Sequence, residues 1–169
     1  IIERLGCEGA SVLQVGSPFD HASQVELFVD TTMPSPTYTA PNERQSSQTN
    51  DYNTELSRRI LAHLEQTEGG AFVLFTSFAS LYAVADALRP ELLELDMPRL
   101  VQGRDGSRTK LLEQVRQDSR SVLLGAASFW QGVDVRGDSL RNVIIARLPF
   151  DPPGRPLTEA RLERIKELG

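Results

Sequence analysis

Three runs of consecutive apolar residues constrain this chain most: "AFVLF" (71–75), "SVLLGA" (121–126) and "NVIIARL" (142–148). A strand that is apolar on both faces must be buried on both, and helices laid on either side of a parallel sheet achieve that. The intervening segments have helical spacing. Leu81, Val84, Ala85 and Leu88 fall on one face of the first, "SRTKLLEQVRQ" (107–117) reads as another helix, and "RLVQ" (99–102) between them reads as a short strand. The order strand, helix, strand, helix, strand, loop, strand predicts an α/β domain with a mainly parallel sheet and right-handed crossovers. No internal repeat is present.

Upstream, "SVLQV" (11–15) and "VELFVD" (25–30) are β-branched runs separated by the turn-rich "GSPFDH", and both are expected to be strands. Residues 31–50 are rich in Pro, Ser and Thr and predict a long loop. Asn50 or Asp51 is expected to cap a helix reaching about Gln66, with Leu56, Ile60, Leu61 and Leu64 on one face. The expected organisation is one domain over residues 1–155, with a helix beginning in 156–169.

A chain of 169 residues, 40% hydrophobic and 24% charged, can bury a core without staples. No run of 18 or more apolar residues occurs, so no membrane span is expected. The single cysteine, Cys7, excludes an internal disulfide and predicts a cytoplasmic setting. The chain starts without Met or a secretory leader and stops inside a helical pattern, so it reads as part of a longer polypeptide. The net charge of −5 does not advertise a nucleic-acid binder, so any such role needs a local surface on an acidic body.

Ligands of open α/β sheets bind outside the carboxyl ends of the strands, and three segments reach that edge. In "LFTSF" (74–78), Thr76 and Ser77 open a helix whose free N–H groups suit a phosphate, although Ser77 equally serves as a plain helix cap. In "VQGRDGSR" (101–108), Gly103 and Gly106 permit a tight turn from which Arg104 and Arg108 reach phosphate; the alternative is a solvated turn with Ser107 capping the next helix. The third segment, "GAASFWQGVDVRGDSLRNVIIARLPF" (125–150), holds the only Trp. Gly132 and Gly137 allow close backbone approach, Asp134 offers a carboxylate to a ribose hydroxyl, and Phe129 and Trp130 either stack on a base or plug the edge of the domain.

Other chemistry is missing from the sequence. There is no G-x-x-x-x-G-K-[S/T] phosphate loop, no acidic pair after a strand to hold Mg²⁺, and no Ser-His-Asp or Cys-His arrangement. His21 and His63 stand alone, whereas metal sites need clustered ligands. No metal site and no catalytic residue is expected within this chain.

Taken in order, "GSPFD" (16–20), "VLFTSF" (73–78), Gln102-Gly103, "SFWQGVDVRGDSLRNVIIARLPF" (128–150) and "PPGRPL" (152–157) resemble the second motor domain of DinG-type DNA helicases, relatives of the XPD-like superfamily 2 helicases. The resemblance covers nearly the whole chain, and "SFWQGVD" followed by G-D-x-L and "LPF" is its most specific part. It implies a RecA-like three-layer domain lacking the phosphate loop, and a parent with two such domains. ATP and Mg²⁺ would be held mainly by the first domain, and single-stranded DNA would cross both. Many members also carry an iron–sulfur cluster in that first domain, translocate 5′ to 3′ and unwind duplexes.

Carried over by position, the resemblance implies that Thr76, Ser77, Ser128, Phe129, Trp130 and Arg104 face DNA, while Gln131, Gly132 and Asp134 face the nucleotide cleft. The family commonly shows Glu where this chain has Gln131, which keeps the shape and drops the charge. The family's last motif, Q-x-x-G-R-x-x-R, supplies an arginine for the transferring phosphoryl group. Nothing after Leu157 matches it, so the chain alone is expected to lack ATPase activity. The alternatives are a non-enzymatic nucleic-acid-binding module, part of a helicase-related exonuclease, and a flavodoxin-like nucleotide-binding enzyme.

Overall fold

The computed structural model describes residues 6, 9–13, 15–34, 47–150 and 155–167. The chain separates into two compact units, Ile1–Thr32 and Met33–Gly169.

In the first unit the only regular element among the described residues is the single-turn helix α1 (His21–Gln24). Ser23 Oγ donates to the Asp20 carboxylate at 2.7 Å, which lowers the pKa of that acid. The strands expected at 11–15 and 25–30 are not formed among the described residues, and Val12, Leu13, Val15, Val25, Leu27, Phe28 and Val29 are exposed. A β-branched run becomes a strand only when a neighbouring strand and a buried face receive it, and no pairing reaches these segments.

Among the described residues the first element of the second unit is α2 (Ser47–Thr67), so Asn50 and Asp51 lie inside the helix instead of capping it, and the expected loop is helical from Ser47 onward. Residues 35–46 of that loop lie outside the described residues. Ser, Thr and Asn favour caps yet cost a helix interior only a few tenths of a kcal/mol. The apolar face formed by Leu56, Ile60 and Leu64 therefore carries the helix through them. Gly69, at φ +79°, ends it by donating to Leu64 O at 3.0 Å.

There follow β1 (Ala71–Leu74), α3 (Phe78–Ala87), α4 (Arg89–Glu94), β2 (Arg99–Val101), α5 (Arg108–Gln117), β3 (Val122–Gly125), β4 (Asn142–Ile145) and α6 (Pro156–Glu167). The strands lie in the order β2-β3-β1-β4, every pair parallel, with Leu74 level with both Gly125 and Ile145. The mainly parallel sheet and the succession of strands and helices read from sequence for residues 71–148 are thus borne out, and the domain is α/β.

Strand alternation sends Ala71, Val73, Phe75, Val101, Val122 and Leu124 to one face, where α2, α3 and α4 cover them. Phe72, Leu74, Leu100 and Leu123 point to the other face and meet Leu111, Leu112 and Val115 of α5. Trp130, Val133, Val135 and Leu140 from the β3–β4 connection complete that second layer. This connection does with loop residues what a crossover helix does elsewhere in the sheet. Val143 and Ile145 of the edge strand β4 remain about half exposed.

Candidate strand-edge site

Because all four strands are parallel, the segments following β1, β2, β3 and β4 emerge at one edge. The chain leaves β1 toward the face covered by α3, whereas it leaves β3 toward the opposite face, where Phe129 and Trp130 pack. Adjacent strands whose connections depart to opposite faces open a crevice between their ends, the usual binding place of open α/β sheets. By topology that place lies between the ends of β1 and β3.

On the β1 side, Thr76 and Ser77 are exposed. Ser77 Oγ accepts from Ser80 N at 3.3 Å, so it caps α3, the plainer of the two readings of its sequence. Beside it lies an open hollow of about 200 Å³, lined among others by Thr76, Ser77, Asn53, Tyr52 and Arg147. Ser80 Oγ donates to Asn53 Oδ1 at 2.8 Å, and burial pushes the Tyr52 hydroxyl pKa up.

On the β3 side, the chain turns through a single 3₁₀ turn at Ala127–Phe129. Phe129 is only 3% exposed, packed against the second core layer, and a Cβ on Gly125 would stand 2.8 Å from its ring. Trp130 is half-buried, and its indole N–H donates to Phe75 O at 3.0 Å. This bond ties the turn after β3 to the residue immediately before Thr76. The loop is therefore at the sheet edge and on the same edge as Thr76.

The turn after β2 braces the loop from the other side. Gln102 Oε1 accepts from Ala126 N at 2.7 Å, while its Nε2 donates to Ser128 Oγ at 3.0 Å. Arg108 lies 5.6 Å over the Phe129 ring and donates to three carbonyls, Ser128 O at 3.1 Å, Gln131 O at 3.2 Å and Gly132 O at 2.6 Å. Arg116 holds Asp134 O at 2.8 Å. Gly132 sits at φ +67°, where a side chain would be strained.

Among the residues singled out in the sequence, Gln131, Gly132 and Asp134 are exposed on this loop. The Asp134 carboxylate pairs with Arg136 at 3.3 Å in an exposed setting. Arg104 stands apart on the β2 turn. It makes a two-pronged pair with Asp86, and its guanidinium lies 4.3 Å from the Tyr82 ring centroid. That pair holds the Asp86 carboxyl below its ordinary value.

The structure also reveals what residue types alone do not. Arg108, at this edge, and Arg116, near the far end of α5, spend their hydrogen bonds on backbone carbonyls of the loop. The one sequence signal for Arg108 was its place after a Gly-rich turn. Among the described residues, no cluster of three or more His, Cys, Asp or Glu is placed to hold a metal ion, and no helix is long and apolar enough to cross a membrane.

Residues 60–169 match the helicase C-terminal domain family. The chain is 39% identical, over 99% of its length, to a Haemophilus influenzae protein described as ATP-dependent DNA helicase YoaA, of which it covers 24%. A Mycobacterium tuberculosis protein described as ATP-dependent helicase DinG is 38% identical over 93% of the chain and 22% of that protein. A Bacillus subtilis protein described as 3'-5' exonuclease DinG is 30% identical over the full chain and 18% of its own length. The chain thus spans a quarter or less of each of these relatives.

Proposed function

This chain belongs to the helicase C-terminal domain family of the DinG type, and from that premise we propose that it is the second motor domain of an ATP-dependent DNA helicase moving 5′ to 3′ on single-stranded DNA. The observation that carries the proposal is the Trp130 indole bond to Phe75 O, which links the turn after β3 to Thr76 and Ser77 after β1. A loop that contacts two ligands must transmit a shift at one to the other, and a hydrogen-bonded bridge across a crevice is a physical route for that.

In this reading Thr76, Ser77 and Ser128 meet the DNA backbone as hydroxyl donors, with Trp130 and Arg104 flanking the strand. Phe129 supports the loop from beneath. Gln131, Gly132 and Asp134 face the nucleotide, which lies between this domain and the first motor domain of the same protein. The positive φ of Gly132 lets the backbone approach closely, and Asp134 accepts from a sugar hydroxyl by exchanging its exposed pair with Arg136.

Among the described residues no group of three or more His, Cys, Asp or Glu gathers to hold a metal ion. In this reading the ion and the phosphates are held mainly by the first domain, and no chemical step is assigned to this chain. Its part is to grip the strand differently as the two domains close and reopen.

The test uses the full-length parent. Asp134→Ala is expected to raise the ATP concentration needed for half-maximal turnover while leaving strand affinity intact. Thr76→Ala with Ser77→Ala is expected to weaken strand binding instead. Unchanged kinetics in the first variant and unchanged affinity in the second would return these residues to a purely structural role.

A further inference from the structure

Phe78 is a large apolar residue with an exposed ring at this edge, directly after Thr76 and Ser77 and 43% exposed. Its ring stands 5.7 Å from that of Tyr82, one turn along α3, at an interplanar angle of 36°. Tyr82 is held in turn. Arg104 covers its ring at 4.3 Å, and Asp86 fixes Arg104 from the next turn of the same helix. The turn after β2 closes against the pair, because a Cβ on Gly103 would lie 2.5 Å from the Tyr82 hydroxyl and 3.9 Å from the Phe78 ring. Gly103, at φ +82°, is what allows that approach.

Phe78 is thus presented to solvent in a position set by Tyr82 and by the Gly103 turn. Phe129 contributes to the core, and Trp130 is committed through its N–H to Phe75 O. That leaves Phe78, which follows Thr76 and Ser77 in the chain and stands against the Gly103 turn, as the ring at this edge best placed to receive a flat ligand.

We propose that Phe78, backed by Tyr82, is a base-stacking platform for single-stranded DNA, with Arg104 and Asp86 as positioning residues that hold Tyr82 in place. The inference rests on the strand-binding reading above and adds to it a contact with the bases. Every base has a π-face, so such a platform grips any sequence. It also suits translocation, in which each step must release one base and accept the next.

Equilibrium binding of the full-length parent is measured with an oligodeoxythymidine and with an abasic strand of the same length. Phe78→Ala and Phe78→Leu should each weaken binding of the base-bearing strand by about 5- to 150-fold, leave the abasic strand unaffected, and keep the native thermal transition. Phe78→Trp should retain the native affinity. Equal losses on both strands, or no loss on the base-bearing one, overturn the proposal. If Thr76→Ala with Ser77→Ala weakens binding and Phe78→Leu does not, the strand reading stands and the platform falls. If the parent binds neither strand, both fall.

Discussion

At the scale of single residues, the site depends on which groups are already engaged. Asp86 illustrates this, because its two-pronged hydrogen bond to Arg104 holds its carboxyl below the ordinary value. A carboxylate whose pKa is lower folded than unfolded contributes stability that is complete above its unfolded value and is lost as pH falls through the folded one. The pair is exposed, so the contribution is small. A carbon-detected NMR titration should place the Asp86 midpoint below that of an unperturbed aspartate, and Arg104→Ala should return it upward. A midpoint indifferent to Arg104→Ala would mean the pair does not persist in solution, and the Tyr82 anchor with it.

Residue types alone leave several of these roles undecided. Ser77 was open between cap and ligand, and its cap bond to Ser80 N is the one observed. Phe129 and Trp130 look equivalent in sequence, yet one fills the space that Gly125 leaves free while the other spans to Phe75. No local pattern distinguishes them, because both outcomes depend on which strands are neighbours.

At the scale of elements, most of the sheet was legible. "AFVL" and "VLLG" are buried at every position, which is what a continuous apolar run demands. The "SVLQV" and "VELFVD" segments carry similar composition without becoming strands among the described residues, since composition cannot supply a pairing partner. The β3–β4 connection was legible as polar and glycine-rich but not as a structural layer. Part of its shape comes from Arg108, whose three acceptors are carbonyls invisible to any side-chain motif.

Removing that brace should therefore be felt locally. Arg108→Met leaves three carbonyls to water and is expected to destabilise the domain by about 1–2 kcal/mol. Amide exchange should accelerate at residues 128–134 ahead of the strands. Thermal unfolding together with residue-resolved exchange checks both parts. Unchanged protection of the loop would show that its packing against α5, not Arg108, sets its conformation.

At the scale of the whole molecule, a chain of net charge −5 presents at this edge Arg108, whose hydrogen bonds go to backbone carbonyls and leave its charge in place. Such a surface attracts a polyanion locally without making the domain basic. The same edge carries the crevice between β1 and β3, so both proposed ligands converge where the topology changes direction. Half of the binding apparatus would lie on another domain. The isolated chain should consequently give no DNA-stimulated ATP turnover, and measurable turnover in a contaminant-free preparation would remove the need for that second domain.

The claim on which the rest stands is that Trp130 joins the strand track to the nucleotide cleft. Its most direct test compares the strand affinity of the full-length parent with and without a non-hydrolysable ATP analogue, in the native protein and in Trp130→Phe. This variant keeps an aromatic ring and removes the N–H that meets Phe75 O, together with the pyrrole part of the indole. Coupling between two sites is measured by the factor through which one ligand changes the affinity for the other. The expected result is a clear factor in the native protein that falls toward one in Trp130→Phe. An undiminished factor in the variant would contradict the account.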